Sequence, residues 1–158
     1  MRCNPSLLFA IQVAYSSVGV VVGIIVCIAF LDKTFGNTHA AAWGGASGVL
    51  AFLNLVLYVY VYLTREKRIR PLNSNVLVAF ALEGAVATGA GLGGFVCYLG
   101  LGIDDSIHHH EPSLVKSWYV ASVWGFMTLK WGLSTFFFAT RKLRQVPTNS
   151  SYTTITNY

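Results

Sequence analysis

Long apolar stretches separated by short charged segments set the pattern of this chain. Four of them, residues 7–31, 41–63, 76–102 and 118–140, are long enough to cross a bilayer; a helical crossing takes about 20 apolar residues. Lipid offers no partners to backbone N–H and C=O groups, so each window is read as a helix that bonds internally. The first window is longer than a signal-peptide core and lacks a small-residue cleavage site, so it is read as a retained span. The pattern predicts an all-α membrane protein with four transmembrane helices. Residues 1–140 form its membrane domain and residues 141–158 a tail. No internal repeat is visible.

Within the spans, small and polar positions fall on helical stripes. Gly19 and Gly23 form a small-xxx-small pair, which lets helix backbones approach closely and is read here as packing inside the chain. In the second span Gly44, Gly48, Asn54, Tyr58 and Tyr62 share one side, predicted to face protein. Five glycines in the third span, Gly84, Gly89, Gly91, Gly93 and Gly94, mark close packing or a bend. Trp118 and Tyr119 stand at the outer edge of the fourth span, where amphipathic rings sit at headgroup level.

Composition agrees: 54% of the residues are hydrophobic and 11% charged, against about 25% charged in soluble domains. Charge then orients the spans. Arg2, Arg65, Lys67, Arg68, Arg70, Arg141, Lys142 and Arg144 fall on one side, Lys33 and Lys116 on the other, and Lys130 within a span. The positive-inside rule makes the first side cytoplasmic, with both termini there. The net charge of +5 is therefore a topology signal, and nucleic acid is not an expected partner. Cys27 and Cys97 lie in spans as small hydrophobes; Cys3, beside the first span, is either a plain thiol or a palmitoylation site.

Ionisable groups in a membrane are costly unless paired or wet, so Glu83 and Lys130 stand out. Both lie well inside their spans at similar depths, about 12 and 16 Å from the cytoplasmic end at 1.5 Å per residue. They are expected to pair, either to fix helix register or along a substrate path. Lys130, Ser134, Phe137 or Phe138, and Arg141 follow at helical spacing as a basic and aromatic ladder, a topology anchor or a site for an anionic planar ligand. On the outer side, His108, His109 and His110 lie in a loop with Asp104, Asp105 and Glu111. That loop is either a solvated surface or a source of one imidazole ligand for a metal or haem iron. His39, in the first outer loop, is a lesser candidate. No nucleophile elbow, paired carboxylates, H-E-x-x-H or phosphate loop is present, so an enzyme is not expected. Asn149-Ser150-Ser151 is a sequon on the cytoplasmic side, and Tyr152-Thr153-Thr154-Ile155 has the form of a sorting signal.

Several segments together resemble the haem-responsive-gene family of four-span haem transporters. They are Ala14-Tyr15-Ser16, the run Ala42-Trp43-Gly44-Gly45-Ala46-Ser47-Gly48-Val49-Leu50-Ala51, and Ser117-Trp118-Tyr119-Val120-Ala121-Ser122-Val123-Trp124-Gly125-Phe126. The last continues through Lys130-Trp131 to Phe138-Ala139-Thr140-Arg141. The resemblance implies movement of haem, as transported substrate, from the extracellular or luminal side into the cytosol. It also implies three stations: Tyr58 in the second span, His108 or a neighbour in the triplet, and Phe138 with Arg141 and Lys142. Tyr58 and His108 would then be ligands to the haem iron, Tyr58 as phenolate. Vertebrate-type members have histidine at the position of Tyr58, and the tyrosine resembles nematode members. Thr140 interrupts the last motif between Ala139 and Arg141.

Two other readings stay open: a tetraspan adaptor or trafficking protein without transport, and a transition-metal transporter using His108–His110. Four helices leave little room for a porphyrin, so a homo-oligomer in the bilayer is expected. Its membrane is the plasma membrane, the endosome–lysosome, or both.

Overall fold

The computed structural model describes residues 5–32, 35–68, 73–108 and 117–145. Arg2, Cys3, Lys33, Arg70, His109, His110, Glu111, Lys116, the sequon and the sorting-like tail segment lie outside the described residues. Four helices follow one another: α1 Pro5–Leu31, α2 Thr38–Arg65, α3 Ser74–His108 and α4 Trp118–Leu143. Three of them, α1, α2 and α3, are long and apolar enough to cross a membrane. At 26 residues α4 is comparably long, but Ser122, Thr128, Lys130, Ser134 and Thr135 make it more polar. Hydroxyls on this helix bond back into it: Thr128 Oγ1 donates to the Trp124 carbonyl at 3.0 Å and Thr135 Oγ1 to that of Trp131 at 3.1 Å. Such back-bonding makes polar residues tolerable inside a helix that packs in an apolar setting.

Local chemistry explains where the helices begin and end. Asn37 caps α2 by accepting from the Ala40 N–H at 3.0 Å, and Ser117 caps α4 by accepting from the Tyr119 N–H at 3.2 Å. The Asn37 amide also donates to the Ser117 carbonyl at 3.3 Å, which ties the start of α2 to the start of α4. At the other end of α2 the Arg68 N–H reaches the Leu63 carbonyl at 3.0 Å and the Lys67 N–H that of Thr64 at 3.1 Å. This is the Schellman pattern, with Lys67 in the left-handed region at φ 56.

The glycines determine which helices touch. A Cβ on Gly23 would collide with the backbone of Gly48, so α1 and α2 cross in close contact. The Gly19–Gly23 pair thus packs inside the chain, as expected. Between α3 and α4 the same role falls to Gly84 and Gly132: a Cβ there would stand 2.6 Å from the backbone nitrogens of Phe136 and Thr88. Helices α2 and α4 run side by side in the same direction, tied near their starts by Asn37–Ser117 and further along by Tyr58–Ser134. Near that end Leu57, Leu77, Ala81 and Ala139 form a small buried core. In space the order is α1, α2, α4, α3. Of the predicted protein-facing stripe Gly44, Gly48, Asn54 and Tyr58 are buried and Tyr62 is half-buried.

Outward faces are apolar; Ile11, Val18, Ile25 and Ile28 of α1 are each more than half exposed. In water so large a patch would be a liability, whereas hydrocarbon solvates it. One expectation needs correction here. The second outer loop begins later than expected: α3 continues to His108, so Asp104, Asp105 and His108 stand on its last turns. At 35 residues α3 is about 52 Å long, beyond the ~30 Å of a hydrocarbon core, so its end projects. Cys97 lies within α3, exposed on its outward side, and Cys27 is half-buried in α1.

Candidate functional site

The stripe that buries Tyr58 turns it toward α4. Its Oη lies 3.1 Å from Ser134 Oγ, and its ring stands edge-on to Phe138 with centroids 4.7 Å apart. One turn on, Lys142 Nζ lies 5.7 Å from the Phe138 centroid and 3.2 Å from Gln145 Oε1, to which it donates. Two of the positions implied by the resemblance, 80 residues apart in the chain, therefore meet at one place. They line a cleft of about 110 Å³ between α1, α2 and α4, together with Phe9, Gln12 and Arg65. Phe9 stacks on Tyr62 at 3.9 Å and closes its α1 side.

At the mouth of the cleft the chemistry is basic. Lys142 has its pKa lowered from the usual lysine value, first because burial strips water from the ammonium, then because Arg141 and Arg65 repel it. An anion bound there would relieve that repulsion. Arg141 is exposed, whereas Arg65 and Lys142 line the cleft. Sequence reasoning assigned Arg65 to topology alone. The available signal was its place seven residues after Tyr58, on the same helical face. The ladder also resolves at Phe138, which faces Tyr58, while Phe137 points outward.

A second cleft of about 130 Å³ lies further from that end, lined by Tyr15, Ser47, Trp124, Lys130 and Trp131 among others. Lys130 Nζ sits 4.6 Å from the Tyr15 ring centroid and 4.5 Å from that of Trp131. Quadrupoles of the two rings partly replace the water that the ammonium has lost. Between the clefts lie Ser16 and Asn54, fully buried, with no hydrogen-bond partner for Ser16 Oγ or for either amide atom of Asn54. Antiparallel register, with Gly23 against Gly48 and Phe9 against Tyr62, sets these two at one depth.

The expected Glu83–Lys130 pair does not form. Both Glu83 carboxylate oxygens are buried without a hydrogen-bond partner, and Lys130 is turned to Tyr15 on α1. Azimuth is the reason. Gly132 and Phe136 face α3; Lys130, two residues before Gly132, points about 200° away around α4. The register differs as well: Gly84 lies against Phe136 and Gly132 against Thr88, which sets Glu83 about 9 Å along the bundle from the level of Lys130.

At the opposite end, His108 is exposed on the last turn of α3, with Nδ1 3.0 Å from the Asp104 carbonyl oxygen and 3.4 Å from Asp104 Oδ1. His109 and His110 lie outside the described residues. Elsewhere at that end, His39 meets Tyr98 and Trp118 in an aromatic cluster, with ring centroids 5.6 and 5.1 Å from the imidazole. Among the described residues no three His, Cys, Asp or Glu side chains converge as a metal site.

Fold and cleft define a small all-helical protein with membrane-crossing helices and an aromatic, basic pocket at one end of the bundle. Residues 77–131 match the model of a family described as haem-transporter, endosomal/lysosomal, haem-responsive gene. Over that stretch the resemblance read from the sequence is shown. It spans most of α3 and half of α4 and holds Glu83, Lys130 and the histidine triplet; Tyr58, Phe138, Arg141 and Lys142 lie outside it. No solved structure matches the chain.

Proposed function

We propose that this chain carries haem from the extracellular or luminal side of a membrane to the cytosol. In this reading residues 118–140 of α4 are the fourth span, both termini are cytoplasmic, and the residues from Arg141 onward form a tail. The observation that carries it is the meeting of Tyr58, Phe138 and Lys142 in one cleft. A phenol is an iron ligand, an aromatic edge lies against a porphyrin face, and cations attract propionates. Arg65 adds a second cation to the mouth of that cleft. The family description, which is that of a transporter, supports this reading and fits the expectation that the chain is not an enzyme.

On the outer side the His108–His110 segment delivers an imidazole, and Tyr58 with Phe138, Arg141 and Lys142 receives the haem near the cytosol. Clefts of about 110 and 130 Å³ are small beside the ~300 Å³ and more of typical ligand pockets. Passage therefore takes either helix separation or a second copy of the chain in the bilayer. The membrane is the plasma membrane or that of the endosome–lysosome.

Haem titration of the full chain in detergent, followed by the Soret band, tests the reading. A saturable shift, weakened in Tyr58→Ala and in the His108–His110 triple alanine, is the expected result. A band no different from haem in empty micelles overturns it.

A further inference from the structure

His39 opens α2, one turn before Trp43. Three helices hold it in place. Its Nδ1 lies 3.0 Å from Tyr98 Oη on α3, and its ring packs 5.1 Å from Trp118 at the start of α4. Tyr98 and Trp118 stack on each other at 5.9 Å and 17°, making a flat aromatic wall beside the imidazole. Trp43 meets the Tyr98 ring edge-on at 6.3 Å. Gly94 makes room for it, since a Cβ there would collide with the Trp43 ring. The Asn37–Ser117 bond then locks the starts of α2 and α4 together. His39 itself is exposed.

The geometry points to His39 as an axial ligand to haem iron at the end of the bundle where α2 and α4 begin, with the Tyr98 and Trp118 rings packed against the porphyrin beside it. This inference rests on the haem reading above and adds a binding site to it. Ligating histidines as a rule hold their second ring nitrogen in a hydrogen bond that fixes tautomer and orientation. Here the tautomer that donates from Nδ1 to Tyr98 Oη leaves the Nε2 lone pair for iron. One imidazole is too little for a bare ion, but iron already held in-plane by porphyrin nitrogens needs only an axial donor. Surrounding rings offer the flat apolar contact that a porphyrin takes.

His108 is a separate station. It lies ten residues beyond Tyr98 on α3, about 15 Å along the helix, too far to serve the other face of the same ring. A site built from the starts of α2 and α4 and the body of α3, held by a hydrogen bond and ring contacts, is better preorganised than an imidazole on the last turn of one helix.

Ferric haem titrations of the full chain in detergent test the assignment, using wild type, His39→Ala and Tyr98→Phe, each with and without added imidazole. Haem in empty micelles with the same imidazole is the reference. His39→Ala is expected to weaken binding at this site at least about tenfold and to lose the His39 share of the imidazole-ligand signature in the Soret and visible bands, leaving that of the His108–His110 segment. Added imidazole restores the His39 share. Tyr98→Phe keeps the ring wall and shows an intermediate loss. Wild-type affinity and spectrum in His39→Ala, with Tyr58→Ala impaired, overturns the His39 assignment and leaves the haem reading standing. A loss in His39→Ala that imidazole does not restore, accompanied by a lower melting temperature, also overturns it, because His39 then only braces the helix ends. If wild type gives no shift, the haem reading fails and the assignment fails with it.

Discussion

The ring of Tyr58 stands edge-on to Phe138 at 4.7 Å, while its hydroxyl is held 3.1 Å from Ser134 Oγ. Ring and hydroxyl thus have separate partners on α4 and can be tested separately. Tyr58→Phe keeps the aromatic contact and removes both the hydrogen bond and the oxygen offered to iron. Its expected cost in stability is about 1 kcal/mol, that of one hydrogen bond, with a loss of about tenfold in haem affinity. Ser134→Ala, which leaves the phenol in place, is expected to match it in stability while keeping most of the affinity. Thermal unfolding and Soret titration on the same samples separate the two effects.

Glu83 and Lys130 face different neighbours, so their energies should be independent. A double-mutant cycle of Glu83→Gln and Lys130→Met is expected to give a coupling below about 0.5 kcal/mol, the range for residues without shared partners. A true buried pair would instead make each single change costlier than the double one, by several kcal/mol. Unfolding of the four proteins in mixed micelles measures the coupling directly.

Glycines of α3 and α4 divide into two kinds. Those in the contact between the two helices are closed off by backbone: a Cβ on Gly132 of α4 would stand 2.6 Å from the Thr88 nitrogen, whereas one on Gly89 of α3 would meet nothing within 4 Å. Gly132→Ala should push the two helices apart and cost about 1–3 kcal/mol, as overpacking does. Gly89→Ala should be neutral or gain up to about 1 kcal/mol, since alanine loses less entropy in a helix. Equal costs at the two positions would mean that α3 and α4 are not in this register.

How much of this was legible in the sequence depends on which interactions carry it. Helix number and the buried stripe of α2 follow from period and apolarity, because lipid forces backbone groups to bond within a segment. Gly44, Gly48, Asn54 and Tyr58 could therefore be placed on one buried face before any coordinates. Depth along a helix was readable only coarsely: it put Glu83 and Lys130 closer to one level than the contacts of Gly84 with Phe136 and of Gly132 with Thr88 allow. Which way a residue points around its helix depends on the neighbouring helices, and those contacts come from packing at glycines scattered over all four helices. That is why the Glu83–Lys130 pair failed and why Arg65 was missed, although both lie on stripes already visible. The end of α3 was misplaced for a different reason: Asp104, Asp105 and His108 read as loop by polarity, but a helix that leaves the bilayer can continue in water. The His39 cluster joins residues from three helices and had no local signal beyond the histidine itself.

Lys142 gives the site a pH dependence whose sign follows from its surroundings. Burial, with Arg141 and Arg65 nearby, lowers its pKa from the ordinary 10.5. An anionic propionate is attracted only while the ammonium keeps its proton. Haem affinity should therefore hold at low and neutral pH and fall as pH rises through the Lys142 value, earlier than an ordinary lysine would allow. Bound anion opposes the shift and moves the fall to higher pH than in the free protein, while a neutral porphyrin ester, which lacks carboxylates, should show no fall from Lys142 at all. Lys142→Arg keeps its charge across this range, and its affinity should stay flat where that of wild type declines. Lys142→Met should be weak at every pH, by about tenfold or more. A pH series of Soret titrations on the three proteins, with the ester as control, decides the point. If wild type and Lys142→Arg fall together, the alkaline loss belongs to the phenol or to haem itself and Lys142 is no part of the propionate site.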